Sequence, residues 1–151
     1  MSMIVQSPVT GTTVSMADVS DDVFAQAMVG PGLAIQPDGG RSDALSPIDG
    51  TVATLHPHAF VVAGKDGRAV LVHLGIDTVK QQGEGFTLHV ARGDAVRAGQ
   101  LMISWDPDAV RAAGYSPVVP VVALDATPDA LSTVAPGERI AAAEKLFTWI
   151  A

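Results

Sequence analysis

Short runs of β-branched and aliphatic residues, separated by frequent glycines and prolines, most limit the folds open to this chain. Fifteen glycines and ten prolines are spread over 151 residues. Long helices do not tolerate such breaks, because proline removes a backbone donor and glycine weakens a helix. Regularly spaced short strands favour an all-β fold, and we predict a compact β-sandwich or barrel with only short helical turns.

The strongest local prediction is a β-hairpin in the middle of the chain. Its strands are Ala59–Val62 and Ala69–His73, and Asp66-Gly67 supplies turn residues that tolerate positive φ. The segment 126–136 has no clear pattern and is interpreted as surface loops. Further strands are predicted at Ile4–Gln6, Leu33–Pro37, Gly50–Leu55, Leu88–Val90, Leu101–Ser104, Val118–Leu124 and Lys145–Ile150.

Two short helices and one internal repeat complete the pattern. Helices are predicted over Asp21–Met28, with an acidic or serine cap, and over Asp106–Ala113, where Asp106 is the cap. The sequence Ser7–Thr12 returns in similar form as Ser46–Thr51, 39 residues further along the chain. One such repeat predicts two similar halves folded around one core, whereas a solenoid would need three or more units.

The composition excludes several classes of protein. Nine Lys and Arg against sixteen Asp and Glu give a formal net charge of −7, without a basic cluster that would bind nucleic acid. The absence of cysteine excludes disulfides, thiolate zinc sites and a cysteine nucleophile. The sequence has neither a membrane-spanning apolar stretch nor a signal peptide. We expect one cytoplasmic domain over residues 1–151, without direct membrane insertion.

Two histidines are predicted to meet at one end of the hairpin. His58 lies eight residues before Asp66, and His73 lies seven residues after it. Antiparallel pairing then places the two imidazoles side by side. Such a pair could be structural, could divide a nucleophilic reaction between its members, or could bind a metal ion. Gly75 lets the backbone pass close to an anion or a protein, and Asp77 could orient an imidazole or pair with a partner's cation.

An ordered set of motifs resembles one known family over most of the chain. The motifs are Ser7–Gly11, Asp21–Ala25, Val29–Ile35, Ser46–Thr51, His58–Phe60, His73–Val79, Gly83–Phe86 and Gly93–Val96. In this order they resemble the glucose-type IIA component of the bacterial phosphoenolpyruvate-dependent sugar phosphotransferase system. The resemblance implies a β-sandwich with two similar halves, a duplicated hybrid motif.

The resemblance also implies a phosphotransferase component that works through phosphohistidine. His73 matches the histidine that carries the phosphoryl group on Nε2, and His58 matches the second histidine, which hydrogen-bonds the phosphate. Gly75, Asp77 and Val79 match the loop that lines the site.

The resemblance implies protein partners as well. Val23, Phe24 and Leu71 match the apolar rim that docks them, and Asp21 could belong to its charged edge. The donor would be histidine-phosphorylated HPr, and the acceptor a cysteine on the IIB domain of a permease for glucose, N-acetylglucosamine or glucosides. No cofactor is expected to be required and no metal is assigned, although His58 and His73 could share a zinc ion with a partner's carboxylate.

The segment before His58 departs from the family pattern. Leu55–His58 is shorter by about two positions and lacks the threonine usual there. The hydrogen bond that orients an active-site histidine is then either lost or supplied by His56.

Three alternatives stay open. A lysostaphin-like zinc metallopeptidase would use His73–Asp77, but it needs a His-x-His downstream, whereas His56 and His58 lie upstream. A biotinyl or lipoyl carrier needs an exposed lysine between methionines or similar residues, which Lys65 lacks. A regulatory protein-binding module of the same fold would differ only in its role.

Overall fold

The computed structural model describes residues 2–150, and most of its regular structure is β-strand. The strands are β1 (Ser2–Gln6), β2 (Gly11–Ser15), β3 (Gly32–Pro37), β4 (Ser42–Leu45), β5 (Gly50–His56), β6 (Ala59–Ala63), β7 (Ala69–His73), β8 (Thr87–Leu88), β9 (Ala95–Val96), β10 (Leu101–Trp105), β11 (Val119–Ala123), β12 (Leu131–Thr133), β13 (Arg139–Ile140) and β14 (Lys145–Ile150). The helices are α1 (Asp22–Ala25) and α2 (Pro107–Ala112), with 3₁₀ turns at Met16–Asp18, Thr78–Gln81 and Pro128–Ala130. The predicted all-β fold with short helical turns is confirmed.

The strands form one large and two small antiparallel sheets. The large sheet has the order β13-β2-β3-β11-β7-β6-β5-β9, and the small ones have the orders β1-β14-β12 and β4-β10-β8. Side chains from all three sheets meet in one apolar core, which includes Phe60, Trp105 and Phe147. The small sheets therefore cover one face of the large sheet, as in a sandwich.

A second, smaller apolar cluster lies on the opposite face of the large sheet. Leu33 and Ile35 of β3 point into the main core, whereas Ala34 between them belongs to the second cluster. This alternation is what a strand buried on both faces requires. The second cluster also contains Phe24 of α1, so the short helix is held against the outer face of the sheet.

The internal repeat is visible in the hydrogen bonds. Ser7 Oγ donates to the carbonyl of Val9 at 2.7 Å, and Ser46 Oγ donates to the carbonyl of Ile48 at 2.8 Å. Both serines are completely buried. The repeated motif found in the sequence therefore makes the same side-chain hydrogen bond at both of its positions.

The two repeated turns also bind each other. The Gln6 amide donates to the carbonyl of Pro47, and the Leu45 amide donates to the carbonyl of Pro8, both at 2.9 Å. Gln6 and Leu45 are equivalent positions of the repeat, and so are Pro8 and Pro47. The first half donates in one bond and accepts in the other, as expected for a two-fold arrangement. The halves are thus joined through their repeated motif.

The helix predictions differ in outcome. Asp106 caps α2 by accepting from the amides of Asp108 and Ala109, and Pro107 occupies the first turn, as predicted. The other predicted helix stops at Ala25, well before Met28. Ala27 has a φ of 53°, which a right-handed helix cannot include.

Several strand predictions need correction. The predicted strand Leu88–Val90 is the two-residue β8, because Ala91 already bonds the side chain of Asp94 in a turn. The segment interpreted as loops contains β12, which pairs with β14. Four further strands are absent from the sequence prediction: β2, β4, β9 and β13.

Candidate functional site

The β6–β7 hairpin brings His58 and His73 together. Ala59 pairs with His73, and the carbonyl of His58 accepts a hydrogen bond from the Leu74 amide at 2.7 Å. The imidazole centroids are 5.1 Å apart, with the rings inclined by 70°. The predicted juxtaposition of the two histidines is confirmed.

The outer face of β7 presents His73 above the second apolar cluster. Val70 and Val72 point into the main core, so His73 shares the opposite face with Leu71. The Phe24 ring lies under the imidazole, with 5.4 Å between centroids. His73 is therefore partly buried and supported from below by α1.

A hydrogen bond to the backbone determines which ring nitrogen of His73 carries the proton. Nδ1 lies 2.5 Å from the carbonyl oxygen of Gly75. A carbonyl can only accept, so Nδ1 carries the proton and neutral His73 keeps an unprotonated Nε2. The lone pair of Nε2 is then free to act as a nucleophile.

The loop after β7 can place this carbonyl only because residue 75 is glycine. Its φ is +83°, and a Cβ there would lie 2.5 Å from Thr78 Cγ2 and 2.9 Å from the Ser116 carbonyl oxygen. The Gly75 amide donates to the carbonyl of Val118, and Thr78 Oγ1 donates to that of Leu74. The acceptor of the His73 proton is thus rigidly held.

Burial keeps both imidazoles neutral. Burial, followed by the neighbouring His73 and His56, lowers the pKa of His58 to about 4. Burial also lowers the pKa of His73, although the hydrogen bond to Gly75 and the carboxylates of Asp21 and Asp77 oppose that shift. The pair therefore carries no charge near neutral pH.

The remaining predicted site residues fall into two groups. Asp21 is the N-cap of α1, and its Oδ1 accepts from the Val23 amide at 2.9 Å. Phe24 is buried beneath His73, and Leu71 packs half-buried against the second cluster. These three residues support the site from within.

The other group is exposed around the site. Asp77 is exposed in a left-handed conformation at the start of the 3₁₀ turn Thr78–Gln81. Val23 is 42% exposed and Val79 is 58% exposed. Met28, which the sequence analysis did not single out, is an exposed apolar residue just after α1. These side chains are available for contact with another protein.

A third histidine belongs to the cluster. His56 stacks on His58 with 5.7 Å between centroids and 24° between ring planes. From the sequence, His56 is expected at most to supply an orienting hydrogen bond, and no ring contact is predicted for it. No spacing rule along the chain predicts this contact, because Pro57 and His58 lie in a two-residue turn and not in an extended strand.

The histidine pair could supply only part of a metal site. Among residues 2–150, no group of three or more His, Cys, Asp or Glu side chains is placed to hold a metal ion. Catalytic zinc usually takes three protein ligands, so a zinc ion here would need at least one ligand from a partner.

His89 belongs to a different part of the structure. It follows β8 and its Nε2 donates to Ser104 Oγ at 2.8 Å, while the Ser104 hydroxyl donates to Asp43. The downstream histidine is thus engaged in the β4-β10-β8 sheet. This arrangement gives no support to the peptidase alternative.

Comparison with known proteins gives a consistent result. The profile of the family described as phosphoenolpyruvate-dependent sugar phosphotransferase system, EIIA 1, matches residues 3–128. The structure is similar to the glucose permease IIA from Mycoplasma capricolum, with a TM-score of 0.89 and 29% identity. That match covers 98% of this chain and 96% of the other.

Curated relatives are similar over the same region. The chain is 46% identical over 112 residues to the glucose-specific EIICBA component of the phosphotransferase system of Streptococcus pneumoniae, covering 73% of this chain. It is 37% identical over 121 residues to the beta-glucoside-specific EIIBCA component of Bacillus subtilis, covering 79% of this chain. The chain spans only 15% and 20% of the lengths of these two relatives. No helix among residues 2–150 has the length and apolar character needed to cross a membrane.

Proposed function

The chain belongs to the EIIA 1 family of the phosphoenolpyruvate-dependent sugar phosphotransferase system, and on that premise we propose that it is a phosphocarrier in which His73 holds the phosphoryl group. The donor is histidine-phosphorylated HPr, and the acceptor is a cysteine of a permease IIB domain. The relatives that carry this region are fusions named EIICBA and EIIBCA, which supports a IIB partner.

The observation that carries the proposal is the hydrogen bond from His73 Nδ1 to the Gly75 carbonyl. It leaves the Nε2 lone pair free to form a bond to phosphorus as the bond between phosphorus and the donor imidazole breaks. The electron pair of the broken bond returns to the donor nitrogen. In the second step a cysteine thiolate attacks phosphorus and the electron pair returns to Nε2. Positioning and charge stabilisation supply most of the catalysis of such a transfer.

His58 is the stabilising residue in this proposal. Its ring lies beside that of His73, so an N–H of His58 can donate to a phosphoryl oxygen on Nε2. A neutral imidazole carries one N–H and can do so without a fixed positive charge. Its low pKa, about 4, keeps the His58 ring uncharged near neutral pH.

The surface around the site suits short-lived protein contacts. Val23, Met28 and Val79 are exposed apolar side chains near or beside the site elements, and Asp77 adds a carboxylate. A few exposed apolar side chains together with a charged one favour association that is specific and rapidly reversed. The transported sugar belongs to the permease, and we propose the glucose, N-acetylglucosamine or glucoside class.

The decisive test is the intact mass of the protein after incubation with phosphoenolpyruvate, enzyme I and HPr. One acid-labile phosphoryl group is expected on the wild type and none on His73→Ala. His58→Ala is expected to accept the group but to pass it to a IIB domain at least tenfold more slowly. Absence of added mass from the wild type, with zinc binding and peptide hydrolysis instead, would replace the proposal by the metallopeptidase alternative.

A further inference from the structure

The His58 ring has no hydrogen bond that orients it within residues 2–150, unlike the His73 ring. His73 is fixed by the Gly75 carbonyl. The His58 ring makes aromatic contacts with the rings of both His73 and His56. An imidazole without a polar partner can turn about its side-chain bonds unless packing prevents it.

We infer that His56 is a positioning residue, which holds the His58 imidazole by ring stacking so that it meets a phosphoryl group on His73. This inference rests on the proposed function and adds to it a residue outside the motifs that resemble the family. The geometry is a row of three imidazoles, with successive centroids 5.7 Å and 5.1 Å apart.

The backbone explains why the first two rings are adjacent. His56 is the last residue of β5 and pairs with Ala59, the first residue of β6. Pro57 and His58 form the intervening two-residue turn. Proline fixes its own φ near −65° and restricts the residue before it. These restrictions stiffen the backbone of the turn across which the rings of residues 56 and 58 lie against each other.

The exposures of the two side chains agree with this role. His58 is half-buried and His56 is exposed, so His56 covers the outer side of His58 and restricts its movement toward solvent. Within the described part of the chain, no hydrogen bond joins His56 to either of the other histidines. Stacking, and not the hydrogen bond considered from the sequence, is the contact that His56 supplies.

Three substitutions separate stacking from hydrogen bonding. His56→Phe keeps a flat ring without ring nitrogens, His56→Gln keeps a polar N–H without a ring, and His56→Ala removes both. His89→Ala is the matched control, because His89 follows β8 and its ring bonds Ser104 of another sheet. Each variant is phosphorylated with Bacillus subtilis enzyme I and HPr, and the phosphoryl group is then returned to unphosphorylated HPr in a rapid-quench experiment read by intact mass.

Phosphorylation of His73 is expected in all variants, which separates this inference from the proposed function. Phosphoryl return is expected to slow about tenfold in the Ala and Gln variants, and to stay within about twofold of wild type in the Phe variant and the His89 control. The NMR signals of the His58 ring protons should keep their stacked, upfield positions only in wild type, the Phe variant and the control.

Three outcomes would overturn the inference. An Ala variant as fast as wild type means that His56 does not position His58. A fast Gln variant with a slow Phe variant means that His56 acts through a hydrogen bond. An unphosphorylated wild type overturns the proposed function, and the inference with it.

Discussion

At the scale of single residues, the site depends on how the loop after β7 is fixed. Gly75 supplies the carbonyl that orients His73, and its positive φ and close neighbours exclude a side chain. Gly85 offers a comparison, since its φ is +84° but a Cβ there would meet nothing within 4 Å. Both glycines have a positive φ, but only at residue 75 would an added Cβ meet neighbouring atoms.

Gly75→Ala is therefore expected to lower the free energy of unfolding more than Gly85→Ala. The left-handed conformation costs an L residue about 1–2 kcal/mol at either position, and crowding adds about 1–3 kcal/mol at residue 75. Only Gly75→Ala should slow phosphorylation of His73. Urea denaturation and intact-mass kinetics check both effects, and equal losses of stability at the two positions would contradict the crowding argument.

The pH dependence of stability follows from the histidine pair. The unfolded chain protonates His58 near pH 6.5, whereas the folded protein does so only near pH 4. The unfolded state therefore binds more protons between these values, and stability must fall as the pH is lowered through this window. The lowered pKa of His73 acts in the same direction. Urea midpoints measured from pH 7 to 4 should show this decline, and His58→Asn should reduce its slope; an unchanged slope would refute the assignment.

At the scale of elements, the four-residue α1 is stable only in its context. So short a helix cannot form on propensity alone. Its cap at Asp21 and the burial of Phe24 in the second cluster hold it under His73. The helix α2 has the same kind of cap at Asp106, but the described contacts of the site do not include it. Comparing variants of the two caps therefore separates an effect on stability from an effect on the site.

Asp21→Ala and Asp106→Ala are each expected to lower the free energy of unfolding by about 1 kcal/mol. Only Asp21→Ala should also slow phosphorylation, because α1 carries the aromatic ring beneath His73. Thermal denaturation and the rate of phosphorylation by HPr measure the two effects. A cap variant of α2 that slowed phosphorylation equally would mean that the effect passes through global stability.

At the scale of the whole molecule, the two halves share one core and bind each other at their repeated turns. Ser7 and Ser46 are equivalent, buried and identically bonded. Ser7→Ala and Ser46→Ala should therefore each cost about 1 kcal/mol, the value of one buried hydrogen bond. Both should lower the same single unfolding transition.

Urea denaturation followed by fluorescence and circular dichroism tests this prediction. The two probes should give coincident transitions in each variant. Transitions that separate in one variant would show that the halves unfold independently, and would also contradict the expectation of one domain over residues 1–151.

Much of this architecture was predictable because it is local. The sequence predicts the hairpin strands nearly to the residue, since a turn signal lies between two continuous apolar runs. Counting from that turn placed His58 beside His73. The α2 cap was predictable for the same reason. Asp106 accepts from amides of the first turn, and Pro107 has the φ that this turn needs.

The sequence by itself thus determined the β-rich class, the central hairpin, the histidine pair and the repeat, all of which depend on spacing along the chain. Only the tertiary structure decided which strands pair across the sheets, and it revealed short strands such as β12 that exist through a distant partner. It also decided that Phe24 lies under His73, that the Gly75 carbonyl accepts from His73 Nδ1 and that His56 stacks on His58. These contacts depend on backbone conformation and on packing between segments, which spacing along the chain does not encode.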